Sequence, residues 1–213
     1  VNFSKYALLA LFLVGCSGSN VKNSEDPEII YNEINVLIEK DRYIEAGELV
    51  AEIRRRFPQS RFAALAELRN GDIYFKQDSY TEAAAAYGVF VELYPKHAEA
   101  PYAQYQRTLS YFNDAPDNIA RDQGPARDAV ASAETLIARY PESGYAAKAA
   151  DIRKKARLRL AQKEAYVARF YAKRGATEAA QNRWKSLLIS FEDLRSVPEA
   201  GPLLQEAEKN SAK

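Results

Sequence analysis

The sequence predicts an all-α protein built from stacked helical hairpins, and three observations predict it. Composition favours helices: Ala, Arg, Glu and Lys are abundant, 28% of residues are charged, and only nine glycines and nine prolines occur among 213 residues. Amphipathic runs of helical length recur along the chain. Three of these runs end alike, in "RRFPQS", "ELYPKH" and "ARYPES", and each aromatic–proline pair marks a helix stop because proline cannot continue a helix. With 47% apolar residues the chain can bury one sizeable core. Net charge is +1, which gives no field to draw in nucleic acid, so no nucleic-acid partner is expected.

The first element is not part of that fold. Methionine is absent, and Val1 is expected to stand for an alternative start codon, which would make the chain a whole precursor. Lys5 supplies a sparse basic region, Tyr6 to Val14 an apolar run, and Gly15 a small residue before a cut, the pattern of a signal peptide over 1–15. Nine apolar residues are too few to span a bilayer, which takes about 20. Leu13-Val14-Gly15-Cys16 resembles a bacterial lipobox. The resemblance implies cleavage before Cys16, which then carries a thioether-linked diacylglyceryl group and an N-acyl chain. Stable anchoring takes two such signals. Ser17 after the cysteine implies export to the outer membrane. Residues 16–26 read as the lipidated terminus and a flexible tether, a coil of roughly 16–19 Å root-mean-square reach.

Residues 27–194 carry the repeats. Gly71, Tyr74, Ala83, Tyr87 and Pro95 are spaced by 3, 9, 4 and 8, the tetratricopeptide pattern G-x2-Y…A-x3-F…P with tyrosine for phenylalanine. Gly71 lets the two helices of a hairpin approach, Tyr74 fills their contact, and Ala83 is small where they cross. In the same register the first copy, about 27–60, has Leu37 and Ala46, and the second is about 64–97. The third, about 101–143, has Tyr111, but its small residue Ala129 comes nine positions late because of a polar insertion at 113–125. A fourth, about 161–194, shows Ala168, Tyr171, Ala180 and Trp184, with Glu192 in the proline position. No proline occurs between 143 and 174, which predicts a long helix there. Residues 195–213 read as a cap or a tail with one partial helix. The fold class is thus an all-α tetratricopeptide-repeat superhelix of four repeats plus a C-terminal partial helix, after a lipoprotein signal peptide.

Positions 2, 5, 9 and 12 of the first helix of each repeat conventionally line the concave face. They comprise Glu28, Tyr31, Asn35 and Ile38, then Leu65, Leu68, Asp72 and Phe75, then Tyr102, Tyr105, Leu109 and Phe112. Nine of these twelve are aromatic or aliphatic, which predicts a groove for an extended apolar peptide, with Tyr31, Leu65, Leu68, Phe75, Tyr102, Tyr105 and Phe112 as its residues. The alternative is that some of them are core. Between Glu25 and Glu52 there are nine acids and two bases, whereas Arg153 to Arg174 holds nine bases and one acid. Each run reads first as a solvated helix face.

Catalysis is not expected. His97 is the only histidine and Cys16 the only cysteine, so no nucleophile–base pair or metal set has the required spacing, and no cofactor beyond the covalent lipid is implied.

"RDQGPARDA" (Arg121 to Ala129), "ARYPESGYAAKA" (Ala138 to Ala149) and, most diagnostic, "FYAKRGATEAAQNRW" (Phe170 to Trp184) resemble the BamD family. These are tetratricopeptide lipoproteins of the bacterial outer-membrane β-barrel assembly machinery. The resemblance implies a lipid-anchored, non-enzymatic protein at the periplasmic face of the outer membrane. It implies binding of the barrel subunit BamA, among other assembly subunits, through C-terminal repeats. It implies receipt of unfolded outer-membrane β-barrel proteins on the N-terminal repeats. Arg183, with Asn182, corresponds to the family's arginine that pairs with an acidic group on BamA. The chain departs from the family pattern in stopping where a fifth repeat would begin, in Thr177, and in a short insertion. The competing reading is another periplasmic tetratricopeptide adaptor, serving envelope constriction or peptidoglycan-associated enzymes.

Overall fold

The computed structural model describes residues 21–212, so the signal peptide and Cys16 lie outside the described residues. Among these residues the regular structure is helical throughout: α1 (Pro27–Glu39), α2 (Tyr43–Arg56), α3 (Arg61–Lys76), α4 (Tyr80–Leu93), α5 (Ala100–Asp114), α6 (Gly124–Arg139), α7 (Gly144–Lys173), α8 (Thr177–Ser190) and α9 (Gly201–Ser211), with short 3-10 turns at Glu192–Ser196 and Pro198–Ala200. Successive helices pack on each other in chain order, the signature of a solenoid.

Local chemistry sets the helix ends. Asp26 caps α1 by accepting the Glu28 N–H at 2.9 Å, and Ser60 caps α3 by accepting the Phe62 N–H at 3.1 Å. Phe57, Tyr94 and Tyr140 close α2, α4 and α6 with φ of −127°, −127° and −133°, because the proline that follows each of them disfavours the helical region for the residue before it. The turns inside the hairpins also repeat. Asp41 and Asp78 (φ 56° each) and Gly175 (φ 75°) hold the left-handed position that ends the first helix of a pair. Tyr43 and Tyr80 donate their hydroxyls to Asp41 and Asp78, so the first two turns are braced alike.

Gly71 faces Tyr87, which is fully buried; a Cβ at Gly71 would lie 2.6 Å from two carbons of that ring. Gly71→Ala is therefore expected to cost about 1–3 kcal/mol through overpacking, read as a lowered denaturation midpoint. Unchanged stability would mean that α3 and α4 slide apart freely.

The core is a series of linked clusters. Ile30, Ile34, Leu49 and Ile53 fill the α1–α2 pair, and Tyr87, Phe90 and Val91 fill the next. The long α7 serves two neighbours: Ala149 packs with Ala133 and Leu136 of α6, while Ala161, Ala165 and Ala168 pack with Trp184 and Leu187 of α8. α9 adds Leu203, Leu204 and Ala207 to this last cluster and is latched by Glu206 on Arg169 at 2.8 Å.

The loop between α5 and α6 is fastened to α7. Arg159 donates to the Ala115 carbonyl at 3.2 Å and to Asp117 at 2.9 Å, and Lys163 donates to the Ala120 and Arg121 carbonyls. Part of the basic run of α7 is thus spent inside the fold rather than on a solvated face.

Candidate functional site

Helices α1, α3 and α5 bring one face of three repeats together around a cavity of about 260 Å³. Ile38, Phe75 and Tyr102 give it apolar walls, and Asn35, Arg69, Asp72 and Gln106 give it a polar floor. Asp72, only 9% exposed, is the hub. It accepts the Tyr87 hydroxyl at 2.7 Å and the Tyr102 hydroxyl at 2.9 Å, and pairs with Arg69. Arg69 also donates to Asn35 at 2.7 Å, and Gln106 donates to the Tyr102 hydroxyl at 3.3 Å. The network joins α1, α3, α4 and α5, so it fixes how three repeats sit relative to one another.

Burial, reinforced by the Asp72 charge, pushes the Tyr87 and Tyr102 hydroxyls far above the ordinary tyrosine value of 10.0. Burial opposes the charge on Arg69, but Asp72 outweighs it and holds the guanidinium pKa above its ordinary value. The raised tyrosine values mean that folding favours the protonated phenols. Their contribution is complete below pH 10 and is lost as pH rises beyond it. Stability is expected to fall by up to about 1.4 kcal/mol per pH unit for each such tyrosine. Tyr87→Phe should flatten that alkaline slope in denaturation curves taken above pH 10; an unchanged slope would contradict the buried-phenol arrangement.

The expected groove residues divide. Phe75 and Tyr102 line the cavity. Tyr31 is half-buried, its ring 5.6 Å from Phe62 and within 6.0 Å of the Arg69 guanidinium. Leu65 and Phe112 are half-buried. Tyr105 lies outside the cavity and packs on Tyr145 of α7 at 5.3 Å, with the Lys148 ammonium over both rings at 5.9 and 5.2 Å. Leu68 corrects the expectation: it is 2% exposed and packs with Ala64, Ala83 and Tyr87. Ala64, Leu68 and Gly71 share one helical stripe facing α4, which turns Leu68 away from the concave side. The surface is also less apolar than its sequence register suggested, because the Arg69–Asp72 pair forms its floor. Sequence reasoning missed Arg69, Gln106, Tyr145 and Lys148; the only available signal was the (i, i+3) spacing of Arg69 and Asp72.

At the other end, the "FYAKRGATEAAQNRW" run splits between core and surface. Trp184 is 2% exposed, whereas Asn182 and Arg183 are exposed on α8. Arg183 donates to Glu164 of α7 at 3.1 Å. Phe170 and Tyr166 remain 43% and 41% exposed on α7, with the Arg174 guanidinium 4.5 Å from the Phe170 ring.

His97 accepts the Glu99 N–H on Nδ1 at 3.1 Å and sets its ring against Phe90. Among the described residues no group of three or more His, Cys, Asp or Glu side chains could hold a metal ion, and no helix is long and apolar enough to cross a membrane.

A family model, YfiO, described as "Outer membrane lipoprotein", matches residues 23–212. The chain belongs to this family. Its relatives include the outer membrane protein assembly factor BamD of Neisseria gonorrhoeae, 33% identical over 214 residues that cover 95% of this chain and 80% of that protein. The BamD of Neisseria meningitidis serogroup B is 34% identical, covering 85% of this chain and 72% of its own length. The BamD of Pasteurella multocida is 29% identical over 97% of this chain and 83% of its own. The YfiO match takes in both the cavity and the Asn182–Arg183 surface, and the all-helical array agrees with the tetratricopeptide fold expected from the repeat spacing.

Proposed function

We propose that the chain is a non-catalytic assembly factor for outer-membrane β-barrel proteins, held by lipid on Cys16 at the periplasmic face of the outer membrane. The observation that carries this reading is the family match over 23–212, shared with relatives named as assembly factors. The two surfaces divide the work. The concave face, with Tyr31, Leu65, Phe75, Tyr102, Tyr105 and Phe112, receives unfolded substrate. Aromatic walls suit apolar side chains, and the polar floor suits the backbone of an extended peptide. The exposed Asn182–Arg183 surface of α8 docks BamA, and other assembly subunits use the remaining faces. Arginine suits a carboxylate partner because its planar fork makes two parallel hydrogen bonds.

Arg183→Glu is expected to weaken binding of purified BamA periplasmic domains at least tenfold, about 1.4 kcal/mol, in a titration by interferometry or calorimetry. An unchanged dissociation constant would remove Arg183 from the interface.

A further inference from the structure

The segment just before α1 is stitched to the side of α2. The Lys22 ammonium pairs with Glu48 at 3.0 Å. Arg56, whose side chain is only 17% exposed, reaches back with both terminal nitrogens: one donates to the Lys22 carbonyl at 3.1 Å, the other to Glu25 at 2.6 Å. Glu52 lies on the same guanidinium at 3.5 Å. A turn closes the segment internally, with the Ser24 N–H donating to the Val21 carbonyl at 3.0 Å and the Asp26 N–H donating to Ser24 Oγ at 3.1 Å. Charge-assisted bonds of this kind, one of them to backbone, are stronger than a typical surface ion pair.

The consequence is geometric. Were residues 17–26 all free, α1 could stand as far as about 40 Å from Cys16 at full extension. With Val21 onward held on α2, the five steps from Cys16 to Val21 span at most about 18 Å whatever their conformation. Helices α1 to α8, packed in succession at interaxial distances of about 8–10 Å, make an array longer than that reach. The anchor therefore cannot serve all faces of the molecule equally.

We infer that Arg56 is a tether clamp: by pinning the chain to α2 only five residues after Cys16, it keeps the Glu48–Arg56 edge of α2 the side of the array nearest the bilayer that carries the Cys16 lipid. The array is thus presented with its first repeat on the membrane side. This rests on the proposed lipidation of Cys16, so two independent readouts are needed.

The first uses no membrane. Trypsin cleavage after Lys22, followed by mass spectrometry of the intact chain, is expected to be about tenfold faster in Arg56→Ala and faster also in Glu25→Ala. Glu25 is exposed and outside the core, so the second variant guards against misfolding of the first. Equal cleavage rates in all three proteins overturn the clamp. The second uses the lipidated protein in vesicles with nitroxide-headgroup lipids. Cys16 is the only cysteine and its thiol is consumed by the lipid, so a fluorophore on Ala51→Cys of α2 or Ser186→Cys of α8 is unique. Quenching is expected to be at least twofold stronger at position 51, and this difference should shrink by half or more in Arg56→Ala. Equal quenching at the two positions overturns the membrane-facing edge. Absence of lipid mass on Cys16 overturns the anchor and the bilayer proximity with it, while the proteolysis still decides the clamp.

Discussion

Replacing Asp72 with alanine is expected to lower the stability of the N-terminal repeats by about 3 kcal/mol. One carboxylate accepts from Tyr87, Tyr102 and Arg69, and it is almost out of solvent. Its removal leaves a guanidinium without its counter-charge and two phenols without their shared acceptor. Breaking a buried pair from one side costs about 3–5 kcal/mol, and the 29% exposure of the Arg69 side chain places this case at the lower end. Asp72→Asn keeps an acceptor for the phenols and removes only the charge, so a loss of about 1–2 kcal/mol is expected. Contacts in a solenoid are local. Hydrogen exchange should therefore accelerate in α3 to α5 and stay unchanged in α8 and α9. A uniform acceleration, or none, would contradict the hub. Because the same residues floor the cavity, substrate-peptide binding should fall with the local order while BamA capture persists.

The second large effect belongs to the other end. Trp184→Ala is expected to cost about 3–5 kcal/mol, since the indole is 2% exposed among Ala161, Ala165, Ala168 and Leu187, and small neighbours cannot collapse to fill the space. The Arg169 guanidinium, 5.9 Å from the indole ring, would lose that contact too. Asn182 and Arg183 ride on the helix that Trp184 pins, so partner capture should be lost along with exchange protection of α8 and α9. Trp184→Phe should restore most of both. Full capture by the alanine variant would mean that the surface does not depend on this packing.

What could be read in the sequence was what local chemistry decides. Proline stops at Pro58, Pro95 and Pro141 follow from a steric clash with the residue before, so three helix ends were legible without any tertiary context. The Gly71–Tyr87 approach was legible because the repeat spacing encodes it. The polar floor was not: Asp72 meets Tyr87 and Tyr102 at separations of 15 and 30 residues, through a superhelical twist that no single-helix pattern contains. Leu68 was misplaced for a related reason. A position counted along an idealised repeat does not say which neighbouring helix its stripe will face. The segment before α1 looked like a free tether because its residues are small and polar; only the folded chain shows Arg56 reaching back to it over 34 residues. Whether residues after 195 would dock also depended on a partner surface, and the burial of Leu203, Leu204 and Ala207 supplies it.

In the proposed role, this array joins substrate reception at one end to BamA docking at the other, under a lipid anchor. The most direct measurement is affinity capture of the full-length chain from detergent-solubilised envelopes, wild type beside Arg183→Glu, with mass spectrometry of what comes down. BamA is expected among the most abundant proteins with the wild type and depleted at least tenfold with the variant. Recovery of division or peptidoglycan enzymes in its place, with no BamA above background, would contradict it.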